Sequence, residues 1–264
     1  MTNTITLTTD FGHKGPFVAV VKGVILQHAP DAKIIDLTHE IHVHWTAEAG
    51  FWLSRAYHYF PAGSVHVAVV DPGVGTERDI LAAESDGHIF LAPDNGILPL
   101  VFAVSGKPRV FRLSDDWLAQ QGWPQPSNTF HGRDIFAPLA GEIAAGKTAP
   151  QDVGPPVPVD ELIPPLLDET RVEHGEIRGT VIAIDHFGNL ITNIDGNLLD
   201  AMTAPEVRTA GHRLPLKETY GRAQPGDHLA LINSFGVVEI ARAEGSAADS
   251  LGLGVGAPVF VCET

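Results

Sequence analysis

Two aspartates stand where β-branched, apolar runs stop and glycine-containing turns begin. Asp10 follows Ile5-Thr6-Leu7-Thr8-Thr9 and opens Asp10-Phe11-Gly12; Asp71 follows the run from Ser64 to Val70 and opens Asp71-Pro72-Gly73-Val74-Gly75. In open parallel sheets, ligands bind beyond the carboxyl ends of the strands, and glycine lets backbone approach a ligand closely. A single aspartate in such a place serves equally well as a turn cap. Two on neighbouring strands, both with glycine turns, point to a site. Arg78 follows Asp71 by seven residues, near enough to return to it as an ion pair or to face a ligand. His131, in Phe130-His131-Gly132-Arg133-Asp134, lies in a loop just before a helical pattern, and its imidazole can exchange a proton near neutral pH.

Later in the chain, Asp185-His186-Phe187-Gly188-Asn189-Leu190-Ile191-Thr192-Asn193 gathers an acid, an aromatic ring and two amides around a glycine. An aromatic face with neighbouring amides suits stacking and edge recognition of a planar base, although a tight β-turn uses the same residues. Ile232-Asn233-Ser234-Phe235-Gly236, followed by Arg242, is a second polar loop of this kind. The alternating histidines of His39-Glu40-Ile41-His42-Val43-His44 have the residue type for zinc, but no third ligand stands at metal-like spacing. No Walker-type phosphate loop, Gly-x-Gly-x-x-Gly or Gly-x-Ser-x-Gly motif is present.

The elements that must position these residues are legible from periodicity. Strand-like runs at Ile5–Thr9, Lys33–Leu37 and Ser64–Val70 alternate with helical patterns at Phe17–His28 and Trp45–Tyr59. That βαβαβ order predicts a mostly parallel sheet with flanking helices. Two further strands, Leu81–Glu84 and His88–Ala92, flank an Asp86-Gly87 turn, and Phe136–Ala145 reads as a helix with Gly146 beyond its end. Six prolines crowd residues 150–165, so the segment 150–170 reads as a stiff linker. Beyond it come short strands between Gly and Pro turns, the pattern of a small all-β barrel or sandwich. The expected organisation is an α/β domain over 1–149, the linker, and a β-barrel-like domain over 171–264.

Composition narrows the class. Hydrophobic residues make up 44% of the 264, enough for a sizeable core, yet no run approaches the ~18 apolar residues of a membrane span. The first residues lack the basic and apolar regions of a signal peptide, and the single Cys262 has no internal disulfide partner. A cytoplasmic protein is the expectation. A net charge of −15 without a Lys/Arg run disfavours nucleic acid as a partner and suits a small cationic or zwitterionic ligand.

Taken in order, Thr9-Asp10-Phe11-Gly12, Ile35-Asp36-Leu37-Thr38-His39, Val70-Asp71-Pro72-Gly73-Val74-Gly75, Pro93-Asp94-Asn95-Gly96, Phe130-His131-Gly132-Arg133-Asp134, Phe187-Gly188-Asn189-Leu190-Ile191-Thr192-Asn193 and Ile232-Asn233-Ser234-Phe235-Gly236 resemble the S-adenosyl-L-methionine hydroxide adenosyltransferase family, relatives of the bacterial fluorinase and chlorinase. The resemblance runs from Thr8 to about Ala248. It implies cleavage of S-adenosyl-L-methionine at ribose C5′ by water, giving adenosine and L-methionine, with no cofactor and no metal. It assigns Asp71, Arg78 and His131 to the attacking water and Asp10 to the ribose hydroxyls. Phe187 and Asn189 fall to the adenine side, Asp185 and Ser234 to the methionine end, and Arg242 to a further matching position. It also implies a homotrimer with sites between subunits. The halogenase branch lacks the Asp71 equivalent and carries a long insertion after that turn, so the hydrolase branch is the closer likeness. A halogenase, a non-catalytic adenosine-binding protein and a metal-dependent hydrolase built on His39–His44 are the competing readings. One departure stands out: Gly15 occupies a position where the family often has an acid reaching the methionine moiety.

Overall fold

Residues 3–264 are described here from a computed structural model. The first strand, β1 (Thr4–Thr9), is β-branched and buried along its whole length, as a strand covered on both faces requires. Helix α1 (Phe17–His28) returns the chain to β2 (Lys33–Thr38), which pairs with β1 in parallel. Helix α2 (Thr46–Ala56) then carries the chain to β3 (Val65–Val69), which pairs with β1 on its other edge. The strand order therefore reverses between β1 and β3, and a parallel sheet opens a ligand crevice at such a reversal. Thr9 is paired with Val69, so Asp10 and Asp71 emerge side by side at this point.

The sheet continues with β4 (Ile80–Ser85), β5 (His88–Pro93) and β6 (Arg109–Arg112) to the order β2-β1-β3-β5-β4-β6-β7. Strands β2, β1, β3 and β5 are mutually parallel; β4 runs against β5 through the expected Asp86-Gly87 turn. Two cores cover its faces. Val21 and Ile25 of α1 pack with Leu139, Ala140 and Ile143 of α5 (Ala137–Ala144) on one side. Ala49 and Leu53 of α2 pack with Ile97, Leu98 and Val101 of α3 (Ile97–Phe102) on the other. A short α4 (Asp115–Gln120) is capped by Ser114.

The proline-rich segment differs from the linker read over 150–170. Pro150 is buried, and Pro156–Val157 form β7, an edge strand on β6. Proline is tolerated there because an edge strand leaves one row of N–H groups unused. The described chain divides after Leu166. Asp168 and Thr170 already hydrogen-bond to Asn193 of the second unit.

The second unit is antiparallel, from β8 (Arg171–Glu173), β9 (Glu176–Ile184), β10 (Leu190–Asp195), β11 (Pro205–Thr209), β12 (His212–Pro215), β13 (His228–Ile232), β14 (Val237–Arg242) and β15 (Pro258–Glu263), with α6 (Ala247–Leu251) after β14. The order is β12-β11-β15-β9-β10-β14-β13, with β8 on β9. Leu216, just beyond β12, bridges Ala230 of β13, which draws the two ends of the sheet together into a near-barrel. No helix among the described residues is long and apolar enough to cross a membrane.

At the amino-terminal edge of the first sheet lies a buried polar chain. His66 Nδ1 meets Thr6 Oγ1 at 2.8 Å, and its Nε2 lies 3.1 Å from His88 Nδ1. Burial, with the adjacent His88 adding to it, pushes the His66 imidazole down to about 3 from an ordinary 6.5. Between those values the unfolded chain binds a proton that folded His66 refuses, so stability falls as pH drops through that window and levels off above it. His88, also pushed down by burial, acts in the same direction. Urea denaturation from neutral to about pH 4 should show a loss of up to about 1.4 kcal/mol per pH unit from His66. His66→Asn should shrink that slope, and an unchanged slope would remove His66 as its source.

Candidate active site

The turn after β3 is built to hold one carboxylate. Val74 N–H bonds the Asp71 carbonyl at 3.2 Å, and the Thr76 hydroxyl donates to the Gly73 carbonyl at 2.7 Å. Gly75 has φ +78, and a Cβ there would lie 2.2 Å from the Asn128 carbonyl oxygen, so this position accepts glycine alone. Asn95, beyond β5, donates its side-chain amide to the Val70 carbonyl at 2.8 Å, which ties down the residue just before Asp71.

Arg78 returns to Asp71. Its Nε lies 3.0 and 2.9 Å from the two carboxylate oxygens, and Nη2 also donates to Oδ2. The two side chains are 8% and 5% exposed. A planar guanidinium meeting a carboxylate bidentately fixes both groups in direction as well as charge. Nη2 extends the set to His131 Nδ1 at 3.0 Å, and the guanidinium lies over the Phe136 ring. Since arginine only donates, Nδ1 must offer its lone pair, and neutral His131 carries its proton on Nε2. Burial, and then the Arg78 charge, hold the His131 imidazole below its ordinary range. A cleft of about 620 Å³ runs along Gly75–Ile80, Arg112–Asp115 and Gln125–Asn128 and reaches Arg78 and His131, which opens this end of the set to solvent.

His131 leads into a π-helical turn, Gly132–Phe136, ahead of α5. Such turns widen a helix and recur at functional sites. The same segment meets the Asp10 turn: Phe11 and Phe130 pack edge to face at 5.6 Å, and Gly132 lies against the Phe11 ring. Asp10 accepts the His44 backbone N–H at 3.0 Å through Oδ2. Asp10, Asp71, Arg78 and His131 are therefore held by one interlocked set of turns.

The histidines of 39–44 serve differently from the chelating role their type suggests. His39 is buried, with Nδ1 2.7 Å from Thr9 Oγ1 and Nε2 2.9 Å from Asp36 Oδ1. Its carbonyl accepts the Gly12 N–H at 2.8 Å. His44, at φ 66, contributes its backbone to Asp10. The segment acts mainly as a brace on the Asp10 turn.

In the second unit, Asp185 closes its own turn. Its Oδ1 accepts the backbone N–H groups of Phe187 and Asn189, both at 2.9 Å, and Oδ2 accepts the Asn189 side-chain amide at 2.9 Å. Gly188, at φ +82, lies so close to Ser246 that a Cβ would fall 2.2 Å from its hydroxyl. The turn presents Phe187 outward, 74% exposed. Strand pairing of Leu190 with Ile240 brings Arg242 to the same end of the sheet as this turn. Ser234 is exposed in the β13–β14 turn at the other end, where Gly196 N–H bonds the Gly236 carbonyl. Asp185, Phe187, Asn189 and Arg242 thus gather at one end, and Ser234 does not join them directly.

Family models described as the SAM hydroxide adenosyltransferase N-terminal and C-terminal domains match residues 5–154 and 179–260. This chain belongs to the SAM hydroxide adenosyltransferase family. Within it, an (R)-S-adenosyl-L-methionine hydrolase from Thermus thermophilus is 39% identical, covering 95% of this chain and 96% of the relative. A fluorinase from Actinopolyspora mzabensis is 26% identical over 97% of this chain and 96% of its own length. A crystal structure of an uncharacterized conserved protein from Thermotoga maritima superposes with a TM-score of 0.88 at 32% identity, covering 98% of this chain and all of that one. The family identity agrees with the two-domain resemblance read from the motifs.

Removing Arg78 would strand the Asp71 carboxylate in a nearly dry turn. Arg78→Ala should cost about 3–5 kcal/mol in urea denaturation, and Asp71→Ala with Arg78→Ala should recover part of it. A loss below about 1 kcal/mol would mean that solvent already screens the pair.

Proposed function

We propose that this protein hydrolyses S-adenosyl-L-methionine by attack of water at ribose C5′, releasing adenosine and L-methionine. The observation that carries the reading is the continuous Asp71–Arg78–His131 set beside Asp10 at the sheet's reversal point. The hydrolase relative supports it, and its name sharpens the substrate. The methionine carbon is already specified as L, so the R descriptor belongs to the sulfonium, and we take that epimer as the substrate.

The leaving group is a neutral thioether departing from a sulfonium, so no acid is needed to release it. The demand falls on water, a poor nucleophile that must stand in line with the C5′–S bond. Arg78 occupies Nδ1 of His131, so the ring donates its one N–H, which meets the Ser127 backbone here and which we assign to the water oxygen when substrate is bound. Asp71 keeps lone pairs beyond those given to Arg78, and we assign it the water proton. General-base assistance of this kind contributes about 10²–10⁴-fold, and positioning supplies much of the remainder. Asp10 offers two acceptors for the ribose hydroxyls, Phe187 a face for adenine and Asn189 an amide beside it. We assign Asp185 and Ser234 to the amino-acid end and keep Arg242 as a further matching position of the family. No cofactor enters this scheme. We further propose a cytoplasmic homotrimer in which the first unit of one subunit and the second unit of its neighbour share a substrate.

Incubation with S-adenosyl-L-methionine in ¹⁸O water should place label on the adenosine 5′-oxygen, read by mass spectrometry. With both sulfonium epimers supplied, one should persist. Asp71→Asn should lower kcat by at least about 10²-fold while adenosine binding stays within about twofold. A 5′-halo product in the presence of halide, or full turnover by Asp71→Asn, would overturn the assignment. Because His131 must be neutral to accept from Arg78, kcat/KM should hold from neutral pH down to the ordinary imidazole range and fall only below 6.5.

A further inference from the structure

Glu239 lies in the middle of β14, opposite Ile191 of β10 and Leu231 of β13, and is 3% exposed. Its neighbours Val238 and Ile240 enter the barrel core. Glu239 therefore projects from the outer face, alongside Leu229, Leu231 and Ala241, which Ala223 helps to cover. A carboxylate buried among aliphatic groups is costly unless donors meet it. Two do. The Tyr220 hydroxyl donates to Oε1 at 2.5 Å, and the Asn233 amide donates to Oε2 at 3.1 Å.

Both donors come from connecting segments. Tyr220 sits in the loop after β12, and Asn233 opens the turn that carries Ser234. While its amide holds Glu239, the Asn233 side-chain oxygen accepts the N–H groups of Phe235 and Val237, at 3.0 and 3.3 Å. Ser234 is thus enclosed in a turn whose shape depends on Glu239. On the other side, Asp185 lies within electrostatic range of both Glu239 and Tyr220. Burial, reinforced by that charge, holds the Glu239 carboxyl above its ordinary range, and burial followed by the bond to Glu239 keeps the Tyr220 phenol protonated as a donor. Glu239 stands between the two turns that carry Asp185 and Ser234.

We propose that Glu239, through Tyr220 and Asn233, is a positioning residue for the amino-acid end of the substrate, setting the Ser234 turn and placing a carboxylate behind it to favour an ammonium group. This rests on the assignment of Asp185 and Ser234 to that end. Adenosine has no ammonium, so Glu239 should matter to the whole sulfonium substrate and not to the nucleoside.

The test compares the two ligands. Glu239→Gln should raise KM for S-adenosyl-L-methionine about tenfold, with kcat and the adenosine Kd each within about twofold of the unaltered protein. Tyr220→Phe deletes one oxygen from a half-exposed side chain and carries the test if Glu239→Gln fails to fold; it should act in the same direction, about threefold. Parallel weakening of adenosine and substrate, or an unchanged KM, would overturn the proposal. If the unaltered protein releases no methionine, the hydrolase reading fails on its own. Calorimetric Kd values for S-adenosyl-L-methionine and adenosine then decide this proposal separately: a loss confined to the sulfonium ligand sustains it, and an equal loss for both ends it.

Discussion

The bidentate pairing of Arg78 with Asp71 is the constraint on which the first unit's site depends. With both side chains almost free of solvent, neither can be left alone without stranding a charge. The pair dictates the course of the chain from Asp71 to Arg78. It requires the tight turn that Gly75 makes possible against Asn128, and it needs Asn95 to anchor Val70. It also fixes His131, because a guanidinium already committed to a carboxylate has Nη2 aimed in one direction. The imidazole tautomer then follows from the ion pair together with the Ser127 backbone, to which the ring also hydrogen-bonds.

The sheet explains why this pair lies next to Asp10. The chain builds β2 on one edge of β1 and β3 on the other, so the loops leaving β1 and β3 part in opposite directions and leave a crevice. Asp10 enters it from β1 and Asp71 from β3. The interlock of Phe11, Phe130 and Gly132 then closes the crevice from the His131 side, while the 39–44 segment braces it through Gly12 and Asp10. Helix packing on two faces leaves the carboxyl ends of the strands as the place where polar side chains can converge.

Much of this was legible because the signals are local. Asp10 and Asp71 stand at strand ends followed by glycine, and Arg78 is close to Asp71 in sequence. His131 emerged only in company with the other motifs, since nothing near it in sequence reveals Arg78 as its partner. The 39–44 histidines offered zinc by residue type alone, and nothing in their sequence announced that the backbone of His44 and the carbonyl of His39 hold the Asp10 turn. Pro156 and Val157 fell in a segment read as linker because proline bars a central strand, and edge position removes that objection. Glu239 was illegible. A glutamate inside an apolar strand reads as a solvent-facing residue, and its burial comes from a loop remote in sequence that brings Tyr220 over it.

The charge distribution fits the proposed chemistry in a specific way. The substrate loses a positive charge at sulfur as C5′–S breaks, so a net negative field at the reacting centre would stabilise the sulfonium ground state more than the transition state. A bare aspartate placed there to take a proton would do this. Arg78 offsets that charge while leaving Asp71 lone pairs available, and a neutral His131 adds a donor without adding charge. On the proposed assignment the methionine ammonium keeps its charge throughout, so the Asp185 carboxylate at that end strengthens binding without opposing the reaction. On that reading, an ion-paired carboxylate at the chemistry and a hydrogen-bonded carboxylate at the spectator cation is the arrangement that separates affinity from rate.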